Sequence, residues 1–523
     1  MERSTISKRL LSGIGLAVVS GMLLASATGC QKSNTAAKTK TSTENATKPT
    51  TITAILDSDM LMPTADGQSA ILDEFKKETG ITLSVIAPSH NQYTEKLNLQ
   101  FASGDVPDVV EVTGNNYVQY ATNGALYDMT SLINGSSVYK TMDQSEISAI
   151  KVKNKLYAVP WAKGSGTVTY IRQDWLDKLG LKVPTTYDEF TNVLKAFVNN
   201  DPDGDGKADT IGLTAAGLIY GDSKQPSDAT MYLPEFYQGA SPDFEVKNGK
   251  WVDGFTQSDT IEAFKRLQSA YKEGLIDKEI VTNTTSTCRD KWNAGKVGVF
   301  NYWAGTWVAN SEDAVKKSVS SAKLTVLNPI KGATYLQRGP LTLAMSSKCK
   351  NPSGVFKYFF EYIHDGKVDG GTMLFAHGVK GFHYAVDSNG TYSPLPSKSN
   401  PATKYYKTTV EPGANLESNF KDPITPDSRI SSSLTMFYKN STLEKLFPSS
   451  PAYASKITDL TTARTSILSK IVVNGEDVNT AINDYKSQES ANVSAILKDF
   501  NAGGVAVTSS AASGASSGST SSK

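Results

Sequence analysis

Ile52-Thr53-Ala54-Ile55-Leu56 is a β-rich run, and turn-forming Asp57, Ser58 and Asp59 follow it. Ala70 to Glu78 then has helical spacing, with Ile71, Leu72 and Phe75 on one face. Ile81 to Ala87 returns to strand character, Tyr93 to Ala102 to helix, and Val109-Val110-Glu111-Val112 to strand. Strands alternating with helices at this interval predict βαβ units and a mostly parallel sheet. Ligands of such sheets collect beyond the carboxyl ends of the strands. The loops Asp57–Met62 and Thr113–Tyr117 are therefore the first expected ligand walls.

Outward from this stretch the pattern continues. Lys155 to Trp161 reads as a strand ended by Pro160, and Val168 to Ile171 as another. Arg172 to Leu179 is a helix closed by Gly180. Thr186 to Val198 is a second helix, with Thr186 as N-cap and Glu189 as its capping-box partner. Asp259 to Glu273 is amphipathic, Val297 to Asn301 is a strand, and Leu341 to Met345 is a strand followed by a helix over Pro352 to His364. The last third is poorer in strands, with helical stretches such as Ser455 to Val472.

The first thirty residues carry a different signal. Arg3, Lys8 and Arg9 precede an apolar stretch from Leu10 to Leu24, too short and too interrupted by Gly and Ser for a membrane span. Ala27-Thr28-Gly29-Cys30 resembles a bacterial lipobox, cut before Cys30, whose thiol is then acylated. An ordinary secretory signal with a chance cysteine is the alternative. Both place the working protein outside the cytoplasmic membrane, and the lipobox adds a tether at the membrane surface.

Without residues 1–29 the chain has 50 basic and 51 acidic side chains. This balance gives no support to nucleic-acid or anionic-lipid binding. Four dispersed histidines lack zinc-ligand spacing. Cys288 and Cys349 remain; they could pair in an oxidising compartment, since sequence does not fix their separation, and two buried free thiols are the favoured reading. Residues 31–50 are polar and Thr-rich, and 501–523 are rich in Gly, Ser and Ala, so both read as solvated tails. The intervening stretch of about 450 residues exceeds a single core, so at least two lobes are expected.

Gly104-Asp105-Val106-Pro107-Asp108 before a strand, the run Tyr170 to Glu189, the loop Asp201 to Gly212 and the close Gly378 to Tyr384 together resemble extracellular solute-binding proteins, family 1. Lys380 stands where that family usually has a glutamate. The resemblance implies an α/β, two-lobed periplasmic-binding-protein-like fold of type II, its ligand cleft between lobes joined by two or three crossovers. It implies a lipoprotein that feeds an oligosaccharide to the permease subunits of an ABC importer. On this reading 1–29 is the signal peptide and 30–50 a tether. Residues 51–160 begin lobe one, 161–337 begin lobe two, 338–385 return to lobe one, 386–500 complete lobe two and 501–523 form the tail. A carbohydrate-sensing or adhesive lipoprotein partnering a membrane receptor kinase would share this fold.

Two constellations carry chemistry. Asp201, Asp203, Asp205 and Asp209 alternate along a Gly-broken loop, with the Lys207 carbonyl as a further oxygen. Such spacing can turn several oxygens toward one calcium ion, in a structural role. The loop departs from an EF-hand at its twelfth position, Gly212, and carries Thr210 after the last aspartate. The second constellation is aromatic. Trp303 and Trp307 follow one strand and Trp161 ends another, where they can stack on sugar rings. Asn115, Asn301, Asp59, Arg338 and His383 are the expected polar partners. No catalytic elbow, metalloprotease helix or phosphate loop is present, so a non-enzymatic role is expected.

Overall fold

A computed structural model describes residues 46–57, 67–112, 114–216, 228–399 and 415–503, together with 218 and 401. Cys30, the tether up to residue 45, Asp59 and the tail from 504 lie outside the described residues. The described chain builds two hydrophobic cores, each around its own sheet.

The first sheet has the strand order Thr82–Ile86, Thr51–Ile55, Val109–Val112, Leu341–Met345, Ala158–Ala162. The first three strands are parallel, as the βαβ pattern predicts. Leu341–Met345 runs against both its neighbours. It arrives from the other lobe, so the local βαβ pattern carries no information about its direction. The helix Gln68–Thr79 turns Ile71 and Phe75 into this core, and Gly80 closes it in the left-handed conformation at φ 69°.

The second sheet has the order Leu324–Val326, Thr167–Arg172, Val297–Trp303, Ile211–Thr214. Only the last pair is parallel. The capping box is present: Thr186 Oγ1 accepts from Glu189 N at 3.3 Å, and Glu189 Oε2 accepts from Thr186 N at 3.2 Å. The helix Tyr187–Asn199 that it starts buries Phe190, Val193, Leu194 and Phe197, the spacing of one helical face. The long helices Pro451–Val472 and Val478–Gly503 pack on the same core. Arg464 ties them down, bonding Asp243 and Asp253 at 2.8 Å each.

Two boundaries differ from the sequence reading. Leu416 packs in the first core, and Phe420 and Ile424 pack with Met373 and Tyr384 beside it. The return to the first lobe therefore lasts to about residue 424, not 385. The final helix runs through Gly503, beyond the expected tail boundary at 501. Cys288 and Cys349 are free and buried, one in each core.

The chain crosses between lobes at 163–166, at 338–340 and again between Ile424 and the helix Ser428–Asn440, and the first two of these segments touch through their backbones. Arg338 N donates to Ser165 O at 3.0 Å. A Cβ on Gly164 would lie 1.7 Å from Arg338 O, and one on Gly166 would lie 2.2 Å from Leu336 O. Neither position has room for a side chain. Gly164→Ala is expected to destabilise the protein by at least about 1–3 kcal/mol, the usual cost of overpacking. Gly135→Ala, at a helical position whose Cβ meets nothing within 4 Å, is the control and leaves stability unchanged or raises it by up to about 1 kcal/mol. Urea unfolding of both variants measures the difference.

Candidate functional site

The crossovers gather polar side chains from both lobes. Glu146 Oε1 accepts from Gln337 Nε2 at 2.8 Å. Burial pushes the Glu146 carboxyl above its ordinary range. Lys163 lies 3.3 Å from Asp143 Oδ2 and 5.7 Å from the centre of the Tyr438 ring, which belongs to the helix Ser428–Asn440. Beside them is a groove lined by Gly114, Tyr117, Pro340, Thr342, Leu443 and Glu444. It sits past the carboxyl end of Val109–Val112, at the expected loop Thr113–Tyr117. Asn115 stands in the first turn of the helix Gly114–Thr122.

At the same end of the sheet two carboxylates are buried. Asp57 follows Thr51–Ile55, and Glu111 lies within Val109–Val112; each is 6% exposed. Glu111 Oε2 accepts from Asp57 N at 2.9 Å, and the Tyr93 hydroxyl donates to Glu111 O at 2.7 Å. Sequence reasoning missed Glu111. Its signal was an acid inside an otherwise apolar strand, where burial costs free energy unless the group is bonded.

The aromatic set divides. Val297–Trp303 extends two residues past its expected end, so Trp303 is the last residue of the strand. Alternation along the strand puts Asn301 and Trp303 on one face and Tyr302 on the other. Trp303 is half-buried and the Arg338 guanidinium lies over its ring, 5.1 Å from the centre. Trp303 and Arg338 thus meet beside the crossovers. Trp307 is 37% exposed but packs edge-on against Tyr302, with Arg289 over its ring at 5.4 Å. It belongs to the opposite face from Trp303.

Two expected ligand residues are corrected. Trp161 is 4% exposed and packs in the first core, edge-on to Phe375 at 5.6 Å, so in this structure it serves as a core residue. The strand containing it is buried on both sides, so its large side chain serves the core. His383 is fully buried, and its Nδ1 accepts from Val379 N at 2.8 Å. It fills the turn after the helix Gly371–His377, where Gly378 has φ 80° and a Cβ would sit 2.5 Å from the His383 ring.

The acidic loop is assembled. Carboxylate oxygens of Asp201, Asp203 and Asp205 lie within 4.8 Å of one another. Asp201 folds the loop by accepting from Gly204 N and Gly206 N at 3.0 Å each. Lys207 donates its N–H to Asp205 Oδ1 at 2.9 Å. Lys296, which sequence reasoning missed, reaches in from 91 residues away. Its Nζ lies 2.8, 2.7 and 2.9 Å from Asp203, Asp205 and Asp209. Hydrogen bonds to these three carboxylates hold the ammonium above its ordinary range, and the Lys296 bond in turn holds Asp205 below its own. The departures from an EF-hand have packing causes. Thr210 is buried and donates to Phe197 O at 2.7 Å, and a Cβ on Gly212 would lie 2.4 Å from Leu275 O. No glutamate can stand at position 212.

Residues 70–363, more than half of the chain, match the family model described as bacterial extracellular solute-binding protein. The chain belongs to this family. Lipoprotein LipO of Bacillus subtilis is 26% identical over 354 residues, 65% of this chain and 68% of the relative. The fructooligosaccharide ABC transporter substrate-binding protein FusA of Streptococcus pneumoniae is 29% identical over 284 residues, about half of each chain. Among solved structures, the alginate-binding protein AlgQ2 without calcium ion superposes with TM-score 0.61 at 22% identity, covering 88% of this chain and 99% of its own. An EF-hand mutant of FusA with fructo-nystose superposes with TM-score 0.58 at 20% identity, covering 86% and 99%. These likenesses establish the two-lobed α/β solute-binding fold. Among the described residues no helix is long and apolar enough to cross a membrane.

Proposed function

We propose that this protein is a lipid-anchored receptor that captures an oligosaccharide and passes it to the permease subunits of an ABC importer. The observation that carries the reading is the placement of Trp303 and Arg338. An indole with a guanidinium over it lies beside the crossovers that join the two lobes. Sugar rings stack on such a ring through their C–H faces, while the guanidinium bonds hydroxyls or a carboxylate. Asp57 and Glu111 add acceptors at the strand ends of the first lobe. The names of FusA and of alginate-binding AlgQ2 support saccharides as the solute class. Binding without turnover fits a family of binding proteins.

We further propose that the acidic loop holds one calcium ion through Asp201, Asp203 and Asp205, with Asp209 and the Lys207 carbonyl as remaining donors. The donor set fits: three carboxylates converge, and Asp203 Oδ1 is buried without a hydrogen-bond partner. The ion would neutralise charge and stiffen the loop. Lys296 already supplies one positive charge there, so calcium competes with it.

Three outcomes follow from these readings. Trp303→Ala should weaken calorimetrically measured binding of a saccharide found in a thermal-shift screen. The loss should be roughly 5- to 150-fold, from about 1–3 kcal/mol of apolar contact. Parental affinity in the folded variant would show that the site lies elsewhere. In chelator, Lys296→Met should melt below the parent, and added calcium should raise its Tm by more than it raises the parent's. Equal responses to calcium would remove the competition. Cys30→Ser should shift the protein from the membrane fraction to the soluble fraction; unchanged fractionation would exclude lipid anchoring at Cys30.

A further inference from the structure

Behind Trp303, on the same sheet face, the second lobe buries an acid that none of the readings above uses. Glu235 lies in the short helix Pro234–Tyr237 and is 0% exposed. Its Oε1 accepts from Thr169 Oγ1 at 2.6 Å. Thr169 Oγ1 in turn accepts from Asn301 Nδ2 at 2.8 Å. The neighbouring pair in the same register is Thr167 and Trp303. At the two ends of this ladder stand two acceptors, Glu235 Oε2 and Asn301 Oδ1. Both are buried and neither has a hydrogen-bond partner.

Among the described residues, the charged and titratable groups around Glu235 offer it no cation. From the strand Tyr335–Gln337, Tyr335 accepts from Thr169 N at 3.3 Å and donates to Leu327 O. From the helix Ser258–Lys272, Arg266 donates to Phe236 O at 2.8 Å and lies over the Tyr187 ring, 5.6 Å from its centre. Tyr237, on the same short helix, donates to Leu218 O at 3.1 Å. Tyr232, from the helix Asp228–Tyr232, is buried in the same core. An ionised carboxylate here would be a buried charge without a counter-ion. A carboxylic acid would instead carry a donor on Oε2, turning one of the two orphaned acceptors into a hydrogen-bond donor.

We propose that Glu235 is a protonated carboxylic acid in the folded protein, and that the Glu235–Thr169–Asn301 ladder makes the lobe carrying Trp303 proton-linked. Burial pushes this carboxyl up to about 7. The sign follows from the raised value. Below the ordinary glutamate range both folded and unfolded chains hold the proton, and the group contributes no pH dependence. As pH rises from there to about 7 the unfolded chain releases the proton and the folded chain keeps it, so stability falls. Above that the loss is complete and constant. The unliganded lobe is thus favoured in acidic surroundings, and this stabilisation is lost once pH passes about 7.

Glu235→Gln tests this on the full chain without ligand. The amide places an N–H where the acid would carry its O–H and cannot ionise. The Tm of the variant relative to the parent should therefore rise by several degrees between pH 5 and pH 8. A constant difference across that range, or a variant that loses ground as pH rises, overturns the proposal. An infrared difference spectrum of parent minus variant at pH 6, where exposed carboxyls are ionised, should contain a protonated-carboxyl stretch. Its absence overturns the proposal independently of how stable the variant is.

Discussion

The two-lobed arrangement depends on one backbone contact, the approach of the 163–166 crossover to the 336–340 segment at Gly164 and Gly166. Because neither glycine has a Cβ, the two segments can pair directly through Ser165 O and Arg338 N. That pairing fixes where each sheet begins. Ala158–Ala162 ends the first sheet on one side of it, and Thr167–Arg172 starts the second on the other. It also fixes the start of the Arg338 side chain, and so the guanidinium over Trp303. A hinge must be thin to bend and defined to return to one geometry. Two backbones in contact, flanked by Glu146–Gln337 and Lys163–Asp143, meet both needs.

The molecule handles buried and crowded carboxylates in three ways, and each suits its place. Around Arg464, two acids share one guanidinium held between the rings of Phe244 and Phe255, which locks the C-terminal helices to the second core. In the acidic loop one part-exposed lysine bonds three acids and offsets one of their charges, and an ammonium on a long stem can withdraw when a stronger cation arrives. Around Glu235 the described residues supply no cation, and the acid can be neutral only by keeping its proton. The first arrangement is a buried ion pair; the second would be exchangeable with ions and the third with protons if the two proposals hold.

What the sequence made legible was local. The βαβ order, the Thr186 capping box and the face formed by Phe190, Val193, Leu194 and Phe197 depend on neighbours within a few residues, and the structure contains them. The acidic loop was legible for the same reason. Its counter-charge was not, because Lys296 lies 87 residues beyond Asp209 and becomes its neighbour only when Ile211–Thr214 pairs with Val297–Trp303. The tryptophans could not be sorted by type or by position after a strand. Trp161 is the penultimate residue of its strand and Trp303 the last of its own, but the strand of Trp161 is buried throughout whereas Trp303 is only half-buried. His383 was misread because an imidazole bonded to the backbone of its own turn has the same sequence appearance as a ligand.

The division of labour between the lobes follows from these placements. The first lobe offers acceptors at its strand ends, Asp57 and Glu111, held in place by Tyr93 and the backbone. The second offers a ring, Trp303, and the crossover a donor, Arg338. A saccharide needs both kinds of contact, since each ring has apolar faces and a rim of hydroxyls that donate as well as accept. On the proposed reading neither set alone would satisfy a sugar. The close backbone contact that starts the Arg338 side chain beside Trp303 would then be as much a part of the binding chemistry as the side chains themselves.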